Sequence, residues 1–153
     1  MENMLSWINI PGLVIMAILM IPNAVYARKH PEGFENLWNN KVVETLEQIG
    51  RFACFGLMVV VIPGCGFSLA NETIFTTYCV VSTLLLLAYC LVWVFCFNSS
   101  TIFRALALSI LPSLLFIACG VISGYTPLLL AAFLFAICHI TLSYMNAKSL
   151  NGV

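Results

Sequence analysis

Asn40-Lys41-Val42-Val43-Glu44-Thr45-Leu46-Glu47-Gln48-Ile49-Gly50-Arg51 is the stretch whose reading decides the fold. It places two acids, an amide and an arginine within about three helical turns, in a chain that is otherwise almost all hydrocarbon. Glu44, Glu47 and Arg51 are spaced i, i+3 and i+7 and share one helix face. Glu47 to Arg51 is the favourable acid-before-base i, i+4 order. An apolar run follows from Phe52 to Ile62, and then Pro63-Gly64. A helix needs about 20 residues to cross a hydrocarbon core of about 30 Å. Residues 52–62 are too few, and running on to Phe67 still falls short. The helix must therefore recruit the turns that carry Glu47, Gln48 and Arg51, which puts them at or inside the membrane boundary.

Composition points the same way. The chain has 153 residues, 62% hydrophobic and 8% charged, where soluble domains carry roughly a quarter charged residues. Too few polar side chains are present to cover a water-exposed surface, so a lipid bilayer is the expected surrounding. Net charge is zero, which gives no reason to expect a nucleic-acid partner. The first apolar run is too long for the core of a signal peptide and reads as a retained span.

Working outward from the quoted stretch, the pattern predicts an all-α polytopic transmembrane helical bundle in a single domain. Its five spans fall at about 5–27, 44–66, 74–97, 102–124 and 127–145. Pro22-Asn23 lies inside the first, where proline removes a backbone donor and loosens the turn before it. Asn23 is placed to satisfy that backbone or to face a neighbouring helix. Short connections imply that successive helices are antiparallel neighbours. With five spans, Arg28, Lys29, Lys41, Arg51, Arg104 and Lys148 all fall on one side, and Glu2 and Glu72 on the other. The excess of basic residues on cytoplasmic loops then sets the N-terminus outside and the C-terminus in the cytoplasm. The inner membrane of a bacterium is the expected location.

Seven cysteines occur without a C-x-x-C pair and are expected to behave as small hydrophobes. A disulfide joining Cys65 to Cys79 or Cys119 near the outer face stays open. Asn71-Glu72-Thr73 matches a glycosylation acceptor. In span 3, Tyr78, Ser82, Tyr89 and Trp93 fall roughly on one face, and Tyr89 and Trp93 are expected in an interfacial aromatic belt. Ala105, Ser109 and Ser113, with Gly120 and Gly124, are small residues that let helices approach closely, within the chain or at a homo-oligomer interface.

Ionisable groups inside a span cost roughly 2.5–3.5 kcal/mol each on insertion scales, which makes each a candidate for function. The candidate ligand-binding residues are Glu47 and Arg51 as a charged centre, with Gln48, Asn23, His139 and Glu44 around them. For Glu44 the plainer expectation is the water boundary, beside Lys41. Motifs for phosphate loops, metalloproteases and nucleophile elbows are absent, so neither a cofactor nor a metal site is expected. The expected function is binding or transport of a small polar or charged solute through a polar site near the cytoplasmic leaflet. The alternatives are an intramembrane enzyme of lipid or isoprenoid chemistry, and an accessory or immunity-type subunit docking a membrane-protein partner.

Overall fold

The computed structural model describes residues 7–30, 36–99 and 101–150. Among these residues the protein is all-α. Five helices run in chain order: α1 (Ile10–Lys29), α2 (Lys41–Val59), α3 (Glu72–Cys96), α4 (Ile102–Ser123) and α5 (Thr126–Leu150). Four of them, α1, α3, α4 and α5, are long and apolar enough to cross a membrane. Their outward faces carry bare hydrocarbon, including Ile21, Leu84, Leu91, Phe95, Leu130 and Ile137. A surface of that kind belongs in lipid.

Helix starts follow local chemistry. Asn9, Asn40, Asn71 and Thr101 each accept a backbone N–H of the first turn and cap α1, α2, α3 and α4. Asn71, the candidate glycosylation acceptor, holds Thr73 and Ile74 N–H through its side-chain oxygen. Gly124 at φ +68° ends α4 in the left-handed conformation that a side chain resists.

Several boundaries differ from the expected ones. Asn9 and Pro11 start α1 at Ile10, five residues later than about 5, and it runs on to Lys29. The largest difference is in α2, which spans 41–59 rather than 44–66. It stops four residues before Pro63, because residues 60 and 61 leave the helix to pair with the other end of the chain. Asn9 N–H donates to Val59 O at 2.8 Å and Val61 N–H to Trp7 O at 2.9 Å. α5 continues to Leu150 rather than ending near 145.

The helices form a closed ring in the order α1, α2, α5, α4, α3. Chain neighbours pack together at α1–α2, α3–α4 and α4–α5, but α2 and α3 do not form a substantial pair. Instead α5 lies beside α2 and α3 beside α1. The twelve residues from 60 to 71 carry the chain across this gap. Close helix approaches occur at glycines. A methyl on Gly50 would meet the Phe135 backbone at 2.9 Å, fixing α2 against α5, and one on Gly120 would meet Leu129 N at 3.2 Å, fixing α4 against α5. The inward serines satisfy themselves: Ser82, Ser113 and Ser123 donate to carbonyls one turn back at 2.6–2.7 Å. All seven cysteines are free thiols, so neither disulfide considered for Cys65 is formed.

The two ends of the ring are built differently. At the end holding the start of α1, Asn9 Nδ2 donates to Met58 O at 3.0 Å and to the Tyr78 hydroxyl at 3.1 Å. Tyr125, fully buried, accepts Ile62 N–H at 2.9 Å and donates to Val60 O at 3.2 Å. Ser68 N–H reaches Ser123 O at 2.9 Å. Backbone groups outside the helices are thus paired inside protein, as a low-dielectric surrounding requires. The opposite end gathers Arg28, Lys29, Lys41, Arg104 and Lys148 on helix termini.

Candidate functional site

At that basic end the ring surrounds an open cavity of about 1040 Å³, walled by all five helices. Phe55 of α2 and Phe116 of α4 lie on its wall, each fourteen residues from its helix start, which places them about 21 Å along the helix. The cavity therefore penetrates well beyond the middle of a bundle of this length.

Glu47 is the most buried ionisable candidate on this wall, 3% exposed. Gly50, three residues on, lets α2 press against the α5 backbone at Phe135. His139, one turn beyond Phe135, is thereby brought opposite Glu47. His139 Nδ1 lies 2.8 Å from Glu47 Oε1. Arg51 Nε donates to the same oxygen at 3.0 Å, and Arg51 Nη2 contacts it as well. Against an ionised Glu47, which can only accept, Nδ1 is the atom that would donate in that contact. The Phe135 ring stacks on the imidazole at 4.5 Å and 18° and holds its plane.

The other sequence candidates divide. Asn23 lines the cavity, donating from Nδ2 to Leu19 O at 3.0 Å, one turn back beside Pro22. Its Oδ1 accepts the Tyr89 hydroxyl at 3.1 Å. Gln48 is exposed at the cavity edge. Glu44 sits at the rim, half-buried, and accepts Asn36 Nδ2 at 2.6 Å. Glu47, Arg51 and His139 thus make one contact group, and Asn23 belongs to a separate pair with Tyr89.

Tyr89 and Trp93 do not form an interfacial belt. They are 4% and 3% exposed and face the interior, because α3 turns its polar-aromatic stripe toward α1 and α4 rather than toward headgroups. Beside them lies Arg104, 7% exposed, which sequence reasoning left out of the candidate set. Arg104 Nη1 donates to Ser99 O at 2.7 Å, and its guanidinium sits over Tyr26 at 4.9 Å and Trp93 at 5.2 Å. The available signal was an arginine in the first turn of an apolar helix together with the α3 stripe. Asn146 completes the rim, its Oδ1 accepting Trp38 N–H at 2.9 Å.

Among the described residues no group of three or more His, Cys, Asp or Glu is placed to hold a metal ion. Comparison with protein-family models, with curated proteins and with solved structures finds no match for this chain.

Proposed function

We propose that this is a membrane protein that binds or transports a small polar or charged solute in the five-helix cavity. The observation that carries the reading is Glu47, buried in the cavity wall and held at one oxygen by both Arg51 and His139. Burying a carboxylate such as Glu47 is expensive unless it is paired, and even then well-packed hydrocarbon of the same volume is often as stable. Its presence beside a large open cavity favours a role in recognition over one in packing. The opposite end, sealed by Asn9 and Tyr125, adds the asymmetry of a carrier open to one face.

In this reading α2 is the fifth span, since it runs between the same two ends as the others. Arg28, Lys29, Lys41, Arg104 and Lys148 at one end put that end, and the C-terminus, in the cytoplasm. A bacterial inner membrane fits this arrangement. The test is thermal unfolding of purified protein against a panel of small cations, anions and headgroup analogues. A ligand at about one hundred times its Kd stabilises by about 2.7 kcal/mol. That stabilisation is expected to vanish in Glu47→Gln and Arg51→Ala while both variants still insert; an unchanged ligand response in both would refute the assignment.

The Glu47–His139 contact favours one second reading, an intramembrane enzyme using the pair in acid/base work. Turnover of lipid substrates, lost in Glu47→Gln, would distinguish it.

A further inference from the structure

The polar atoms left uncommitted in the cavity differ between its rim and its interior. Among the described residues its acceptors are largely engaged: Glu47 Oε1 by Arg51 and His139, Glu44 Oε1 by Asn36, Asn23 Oδ1 by Tyr89 and Asn146 Oδ1 by the Trp38 N–H. Donors also remain. Arg51 uses Nε and Nη2 on Glu47 and keeps Nη1, and its side chain is 36% exposed. Trp93 Nε1, on a side chain 3% exposed, has no acceptor in hydrogen-bonding geometry. Asn146 keeps its Nδ2. At the exposed rim Glu44 Oε2 and the Gln48 amide stay open, and further in Glu47 Oε2 is left over, on a carboxylate whose charge Arg51 already balances. Inside the rim, the Trp93 and Arg51 donors beside a charge-balanced carboxylate suit an acceptor-rich, anionic group.

Deeper in, the wall changes character to Phe55, Leu108, Pro112, Phe116 and Phe135. A hydrated ion gains nothing there, whereas a hydrocarbon chain does. The route in is also unequal around the ring. α1 and α2 meet tightly at the sealed end, where a methyl on Gly12 would collide with Met58 O. Towards the basic end, Met20 of α1 and Thr45 and Gln48 of α2 line the cavity yet are exposed. Met20 lies nine residues from the end of α1, about 14 Å along it and so at hydrocarbon depth.

We propose that the cavity takes a single-chain anionic amphiphile that enters sideways between α1 and α2. Its acidic headgroup sits on Arg51 and Trp93 Nε1, and its chain lies on the apolar floor. This rests on the reading of the cavity as a solute site and names the class of solute.

The test uses Trp93 as the reporter, in full-length protein carrying Trp7→Phe and Trp38→Phe, in nonionic detergent. The probes are brominated dodecyl phosphate, brominated dodecanol and methyl phosphate. The expected result is saturable quenching of Trp93 by the brominated phosphate. It should be roughly tenfold weaker in Arg51→Gln and restored in Arg51→Lys. Brominated dodecanol should quench without saturating, and Met20→Phe, which fills the seam, should slow the onset. Displacement by methyl phosphate at the same concentration would overturn the amphiphile and leave the solute reading standing. Quenching that is absent, or equal in Arg51→Gln, would overturn the amphiphile too. If no solute shifts the unfolding temperature either, the solute reading falls with it.

Discussion

The two ends of this bundle differ in what their central buried side chains pair with. At the sealed end Asn9 and Tyr125 pair with backbone groups: Met58 O, Val60 O and the Ile62 N–H. Each covers a peptide group that the helices leave without a helical partner, and the result is closure. At the open end Glu47, Arg51 and His139 pair with one another, and Tyr89 with Asn23, around a cavity. Side chains that satisfy backbone hold a fold together. Side chains that satisfy one another on a cavity wall are available to exchange partners with a ligand.

Substitutions at the two ends should therefore fail differently. The largest effect is expected at the sealed end, from Gly12→Leu. Even a methyl there would lie 2.0 Å from Met58 O, and overpacking against backbone should remove about 3 kcal/mol or more. Loss of monodisperse folded protein in size-exclusion chromatography checks this. Gly56→Ala is the control, since a methyl at Gly56 meets nothing within 4 Å.

Next comes Glu47→Gln at the open end. Removing one partner of a buried ion pair costs about 3 kcal/mol, and the cavity's exposure of Arg51 should bring the loss below that. The distinguishing outcome is that ligand-dependent stabilisation disappears while the helical circular dichroism signal persists. Tyr125→Phe should cost about 2 kcal/mol, because it strands the Ile62 N–H and Val60 O. Ligand affinity in that variant should match the parent, measured by the same thermal shifts. The smallest effect, about 1 kcal/mol, is expected from Tyr89→Phe, which removes one hydrogen bond to Asn23. If Tyr125→Phe weakens binding as strongly as Glu47→Gln, the division between the ends is wrong.

Part of this organisation was legible in the chain itself. The apolar runs and their capping residues place the helices, because those signals are local. The i, i+4 spacing brings Glu47 and Arg51 together for the same reason. The end of α2 at Val59 was not legible, since it depends on Trp7 and Asn9, some fifty residues away, competing for the backbone. Nor was the insertion of α2 between α1 and α5, which is set by Gly50 against Phe135. The stripe of Tyr78, Ser82, Tyr89 and Trp93 was visible. Its direction was not, because periodicity defines a face without saying what lies opposite. Arg104 escaped for that reason too: its surroundings, Tyr26 and Trp93, come from two other helices.

The central claim is that a water-accessible cavity reaches into the bundle from the basic end only. Single cysteines introduced into a cysteine-free background test it most directly, using a membrane-impermeant thiol reagent applied to each side. Ala105→Cys and Ser143→Cys, both on the cavity wall, are expected to react from the side that bears Lys29 and Lys148 and not from the other. Leu128→Cys, 2% exposed near the sealed end, is expected to react from neither. Failure of Ala105→Cys and Ser143→Cys to react from the basic side, or reaction from both sides, would contradict the account.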